Sequence, residues 1–276
     1  MLMRNESYVG GVMNMTGVRP GDAFKYEGPT MPNKADYWVT FTSTYEAIEK
    51  YILPPPLKAD RSVPPEVRLI CFVSPENKAF SGKVTPYQGF MFLAQTEHNG
   101  VKGRAGWEYV DAVYGDKSEV DIMGPWGVYF GMMKKLGDIR FTPLGGNRFQ
   151  MSVDRRGVRM ITLKMSIGAE MEAAKIDAIN AGISGSGATI TVREIPNVDY
   201  TGFTERSICV ARADKNCVLS GWNVSDCSVE FGHTPEDPLD QIPVLEVTGA
   251  GATVNAGSKE LFTEMYVLDS LPLDAT

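Results

Sequence analysis

The chain has 276 residues, 43% of them hydrophobic, which is enough for one large core or two small ones. Its 27 Lys+Arg and 34 Asp+Glu give a net charge of −7, and no basic stripe interleaved with aromatics appears, so nucleic acid is not an expected partner. No apolar run approaches the roughly 20 residues that cross a bilayer, and the start Met1-Leu2-Met3-Arg4-Asn5-Glu6 lacks a secretory core, so a cytoplasmic protein without membrane contact is expected.

Residues 1–33 are rich in Gly, Asn and Met without periodicity and predict an N-terminal arm over the core. A strand follows at 36–41, then a capping box, Ser43-Thr44-Tyr45-Glu46, opens a short helix through Tyr51. Pro54-Pro55-Pro56 stops it, because a proline ring disfavours helix in the preceding residue. Strand patterns occupy 67–73, 89–95, 106–113 and 159–167; in the last, Ile161, Leu163, Met165 and Ile167 alternate with Thr162, Lys164 and Ser166. His98, in Glu97-His98-Asn99-Gly100, is placed at a hairpin turn. Residues 169–180 read as helix, and 188–195 and 207–231 as strands. Such alternation suits an antiparallel sheet. Helical patterns are too few for a doubly wound parallel fold, so the prediction is α+β and mostly β, one domain over 1–276.

The strongest chemical signal lies at 124–138: Gly-Pro-Trp126-Gly-Val-Tyr129-Phe130-Gly-Met132-Met133-Lys134-Lys135-Leu-Gly-Asp. Alone, a Lys-Lys dipeptide reads as a solvated pair. The apolar shell of Trp126, Phe130 and Met133 changes that, because an amine stripped of water loses the stabilisation of its charge. An ordinary lysine, of pKa about 10.4, is neutral only about once in 2,500 molecules at pH 7. Burial lowers that pKa by about 3–5 units, against about 2 from a like charge about 5 Å away at an effective dielectric near 20. In an extended segment consecutive side chains face opposite ways. One lysine therefore enters the apolar side, with Lys135 a secondary influence.

Other signals carry less. Cys71, Cys209, Cys217 and Cys227 lack CxxC spacing and read as free thiols. With only His98 and His233, a metal centre or a His-based triad has little material, and no metal or cofactor is expected. Gly249-Ala250-Gly251 and Ser184-Gly185-Ser186-Gly187 precede no clear helix N-terminus and make no phosphate cradle. Asp154-Arg155-Arg156-Gly157 reads as a turn, and Glu236-Asp237-Pro238-Leu239-Asp240 as a solvated loop.

Several segments together resemble the acetoacetate decarboxylase superfamily. Met133-Lys134-Lys135-Leu136-Gly137 is similar to its Pro-Lys-Lys-Leu-Gly segment, and 45–51 followed by Pro54-Pro55-Pro56-Leu57 to its helix and proline step. Ile195-Pro196-Asn197-Val198-Asp199, Arg206-Ser207-Ile208-Cys209, and Ile242-Pro243-Val244 with the late Tyr266 extend the likeness from Tyr37 to Tyr266. The resemblance implies a large curved antiparallel sheet or closed β-barrel core with a few short helices, and a homo-oligomer. It also implies a Schiff base on Lys134, a desolvated, cation-flanked lysine being the known device of the family's namesake.

Departures from the family pattern bear on the reaction. Ala35, beside Lys34, stands where decarboxylases carry a carboxylate-binding arginine, and Gln88 near their strand glutamate; Gly127-Val128 replaces an Arg-Glu pair and Met133 a proline. A glutamine orients but does not carry a proton. The expected activity is a carbon–carbon lyase acting on a β-keto acid other than acetoacetate. Alternatives are an aldolase-dehydratase joining pyruvate to an aldehyde through the same lysine, and a non-catalytic binding module. Gln88 joins Lys134 as a catalytic candidate, and Tyr87, Tyr266, Lys34 and Arg104 are candidates for holding a small keto acid or ketone.

Overall fold

The computed structural model describes residues 31–77, 86–112, 127, 130–185, 188–199, 201–213, 218–255 and 262–274. The arm expected at 1–33 therefore lies almost wholly outside the described residues, as does Trp126.

Thirteen strands are described: β1 (Ala35–Thr42), β2 (Glu66–Ser74), β3 (Tyr87–His98), β4 (Val101–Ala112), β5 (Met133–Leu136), β6 (Asp138–Gly145), β7 (Arg148–Arg155), β8 (Val158–Glu170), β9 (Ala188–Pro196), β10 (Phe203–Ala213), β11 (Val218–Phe231), β12 (Glu246–Asn255) and β13 (Phe262–Ser270). Two helices, α1 (Tyr45–Tyr51) and α2 (Ala173–Gly185), interrupt them. The strands form one sheet in the order β13-β10-β9-β4-β3-β2-β1-β12-β11-β8-β7-β6, with β5 attached to β4. Every pairing is antiparallel except β4–β5 and β4–β9. Val39 of β1, Leu163 of β8, Ile190 of β9 and Val210 of β10 share one core, so the sheet curls around it.

The expected mostly-β fold with a large curved sheet is what forms. The closed-barrel alternative is not: among the described strands β13 and β6 remain unjoined ends. The sheet forks instead, because the outer edge of β4 is divided. Gly103 and Arg104 pair with β9, and Trp107 to Val110 pair with β5.

Local expectations hold with shifts. The α1 cap is Thr44, whose side chain accepts from the Ala47 N–H at 3.1 Å, one residue beyond the Ser43 implied by the capping box. The second helix starts at Ala173 and not at 169, because β8 continues to Glu170 through its pairing with Trp222. Gly249-Ala250-Gly251 lies inside β12, packed over Trp38. Asn99 and Gly100 take φ of 50° and 78°, the twist a two-residue hairpin after His98 requires. Gly106 faces the Phe92 carbonyl so closely that an added Cβ would lie 1.8 Å from it. Gly106→Ala is expected to destabilise the fold by about 3 kcal/mol, read as a lowered urea midpoint, because the β3–β4 pairing must spread.

Candidate active site

The fork in the sheet positions the lysines. Phe130 is tethered to β9 by the Thr191 hydroxyl, which donates to its carbonyl. Gly131 (φ 81°) then passes so near the Val192 carbonyl that a Cβ would lie 2.7 Å away. That turn delivers the chain to the vacated edge of β4, where Lys134 falls opposite Glu108 and Lys135 opposite Tyr109. Gly137 N–H to the Val110 carbonyl, 3.2 Å, continues the attachment.

Since β5 is extended, its two lysines diverge. Lys134 turns to the face of β4 that carries Glu108 and Val110, into the nest of Tyr87, Val110, Phe130 and Met132. Its Nζ lies 5.8 Å from the centre of the Tyr87 ring and against Glu108 Oε1, and the two side chains are only 2% and 4% exposed. Gly127 covers its stem, 4.0 Å from Cδ to where a Cβ would stand. Burial holds the Lys134 amine well below the ordinary lysine range. The same burial pushes the Tyr87 phenol up, helped by the Asp36 charge.

A buried amine–carboxylate pair has two nearly isoelectric forms, ammonium with carboxylate and amine with carboxylic acid. Loss of water disfavours the two-ion form. The arrangement can therefore present a neutral amine while its proton stays one contact away on Glu108.

Lys135 faces the other way. Its Nζ lies 5.0 Å from the Trp107 ring centre and pairs with Asp237, whose other oxygen meets Arg155 Nε at 2.9 Å. Asp237 is 1% exposed at its side chain, so the stretch read as a solvated acidic loop is corrected there: two cations from β5 and β7 draw its carboxylate inward. The lysine pair borders two clefts. One, of about 540 Å³, is lined by Tyr51, Leu53, Trp107, Asp237 and Leu239; the other, of about 590 Å³, by Asp111, Asp138, Arg155 and Arg156.

The Tyr87 ring faces Lys134, and Phe130 belongs to the same apolar cluster as Tyr87. Met133 does not join their shell; it is 43% exposed, on the opposite side of β5 from Lys134. Gln88 is not brought to the amine either. It pairs across the strands with Asp111, on the face opposite Glu108, and donates to the Ile139 carbonyl at 3.2 Å and toward Asp111 Oδ2 at 3.4 Å. Tyr266 packs against the main core with Arg212 Nη2 at 3.5 Å from its hydroxyl, and it lines neither cleft. Lys34 is paired to Asp36 and sits 4.9 Å over the Phe72 ring, which meets Tyr87 edge-on at 5.1 Å. Arg104 shares the Glu108 face of β4 but stands farther along the strand. Glu108 and Asp237, the carboxylates that meet the two amines, were missed from sequence. The thiols of Cys71, Cys209 and Cys227 are free; Cys217 lies outside the described residues.

Comparison with known proteins bears on the family and the fold. The family profile described as acetoacetate decarboxylase (ADC) matches residues 18–263. No curated protein matches the chain by sequence. Among solved structures, acetoacetate decarboxylase from Legionella pneumophila is similar with a TM-score of 0.72 at 14% identity, over 94% of this chain and 96% of that one. The enduracididine biosynthesis enzyme MppR, complexed with the condensation product of pyruvate and imidazole 4-carboxaldehyde, gives 0.61 at 15%, over 89% and 91%. An acetoacetate decarboxylase-like enzyme from Sphingomonas wittichii RW1 gives 0.60 at 16%, over 92% and 98%. At such identities the likeness is one of fold.

Proposed function

The chain belongs to the acetoacetate decarboxylase family, and from that premise we propose that it is a Schiff-base-forming carbon–carbon lyase with Lys134 as nucleophile and a keto acid as substrate. The observation that carries the reading is the Lys134 amine, buried in an apolar nest with Glu108 as its one polar contact among the described residues.

The amine attacks the ketone carbon while Glu108 gives its proton to the ketone oxygen; the new carbinolamine returns its surplus N–H proton to the Glu108 carboxylate. Glu108 then gives that proton to the carbinolamine hydroxyl, so that water leaves and a protonated iminium remains beside the Glu108 carboxylate. The iminium nitrogen then accepts an electron pair. In decarboxylation that pair comes from the bond to the departing carboxylate, CO2 is released, and the enamine takes a proton at carbon. Hydrolysis frees the product and restores the lysine. The Tyr87 ring keeps the amine dry throughout.

With Gln88 tied to the far face, the proton carrier is Glu108 on β4; Ala35, where the family carries a carboxylate-binding arginine, is what favours a β-keto acid other than acetoacetate. A second reading has one observation in its favour, the likeness to MppR carrying a pyruvate–aldehyde condensation product. There the same iminium acidifies the α-carbon, and the enamine attacks an aldehyde.

The test is incubation with a 3-oxo acid, or with pyruvate, across pH, followed by a borohydride quench and intact mass. A reduced adduct is expected on Lys134, with a capture rate that begins to decline only at a pH well below the ordinary lysine range. A rate that drops tenfold per unit below about pH 10 is that of an ordinary lysine and refutes the reading. CO2 release against a new chromophore with pyruvate and an aromatic aldehyde separates decarboxylase from aldolase-dehydratase. A protein that captures no ketone is the binding module.

A further inference from the structure

We propose that the sheet face carrying Lys134 also holds an anion subsite, formed by Arg68 and Arg104, for a carboxylate at the far end of the substrate from its reacting ketone. The inference rests on the lyase reading above and adds a substrate class to it: keto compounds with an apolar middle and a distal anionic group.

Period-two alternation puts the parts on one face. On β4, Arg104 and Glu108 point the same way. On β2, Arg68 shares a face with Ile70 and Phe72, which belong to the nest around Tyr87. Between the strands run Met91 and Leu93 of β3, paired with Glu108 and Gly106 and packed on the same nest. The floor from Lys134 to the arginines is thus apolar.

Neither guanidinium is neutralised. Arg68 stacks 4.4 Å over the Trp38 ring, and its Nε is buried without a hydrogen-bond partner. Among the described residues neither arginine makes an ion pair: Asp36, the carboxylate whose field reaches Arg68, is held by Lys34, and Glu66 acts on Arg104 only from a distance. Burial first, and the like charge of Arg104 second, push the Arg68 pKa down to about 10. Two desolvated cations that repel each other are stabilised by an anion that enters between them.

Spacing decides which anion. Arg104 lies four residues along β4 from Glu108, about 13 Å at about 3.3 Å per residue. The departing carboxylate of a β-keto acid is only two bonds from the ketone carbon. It stays beside Lys134, so the arginines serve a different group at the other end of the molecule.

The probes are 9-oxodecanoate, a methyl ketone with a carboxylate at the end of an eight-bond chain, and its methyl ester. Each is incubated with the full chain, quenched with borohydride and measured as adduct per minute. Capture of the acid is expected to be at least tenfold faster than that of the ester. That ratio should fall to about one in Arg68→Gln/Arg104→Gln and persist in Arg68→Lys, which keeps the charge. Equal capture of acid and ester by the unaltered chain overturns the proposal, as does a preference that survives the double glutamine variant. If neither the acid nor the ester is captured while the protein is folded, the lyase reading itself fails and this inference falls with it. Capture of the ester without preference for the acid leaves the lyase reading intact and removes only the subsite.

Discussion

Replacing Lys134 with alanine is expected to lower capture of ketones by about 10³-fold at neutral pH. The magnitude follows from what remains. Every solvated lysine is neutral about once in 2,500 molecules, so residual labelling would be slow and scattered over the surface. Lys135 is a poor substitute, because its amine sits on the opposite face against Asp237 and its cation is compensated there. Peptide mapping after borohydride is the decisive measurement: adduct on the 134 position in the unaltered chain, none there in Lys134→Ala. Equal labelling in both would place the chemistry elsewhere.

The second large effect concerns stability. Lys134→Met keeps the volume and removes the amine, leaving Glu108 buried without its partner; breaking one side of such a pair typically costs about 3–5 kcal/mol. Lys134→Met/Glu108→Gln removes both ionisable groups and should recover most of that loss in urea unfolding at neutral pH. The pH dependence follows from where the proton sits. The folded amine is held below its ordinary range, while the unfolded lysine keeps its proton to about pH 10.4. Because the folded pair keeps that proton on Glu108, folded and unfolded chains hold equal numbers of protons between the ordinary carboxylate range and about pH 10.4, and the pair adds no slope there. In Lys134→Met the carboxyl is buried alone and keeps a proton that an unfolded glutamate gives up above about pH 4.3, so stability should fall as pH rises, by up to about 1.4 kcal/mol per unit. A double variant no more stable than Lys134→Met, or a pH dependence unchanged by removing the lysine, would show that the pair is not coupled.

Much of the sheet was legible because several strands announce themselves by alternation in sequence, as at 159–167, where Ile161, Leu163 and Met165 are buried, although Met160 and Thr162 are buried with them. β5 was not, since Met-Lys-Lys-Leu has no such pattern; its extended form is imposed by the edge of β4 that β9 leaves open. The dryness around Lys134 could be anticipated from Phe130 and Met132, but Glu108 reads locally as one more polar position in a strand. Only the register between distant strands makes it the lysine's partner, and with it the mechanism acquires a proton carrier. Family likeness pointed to Gln88, whereas the two-residue period places its neighbour Tyr87 on the amine's face. Asp237 was misread for the same reason: composition says acidic and solvated, and its burial depends on Lys135 and Arg155 arriving from elsewhere.

Opposed acids on the two sides of β5 also act as a registration key. A strand of four residues, hydrogen-bonded along one edge among the described residues, has little of its own to prevent slippage. Sliding by one position would seat Met133 or Lys135 in the dry nest. In one direction Asp237 then confronts Leu136, and in the other Glu108 loses its cation altogether. Only the observed alignment satisfies both acids at once, so the second lysine, though turned away from the chemistry, helps ensure that the correct amine is the one delivered to it.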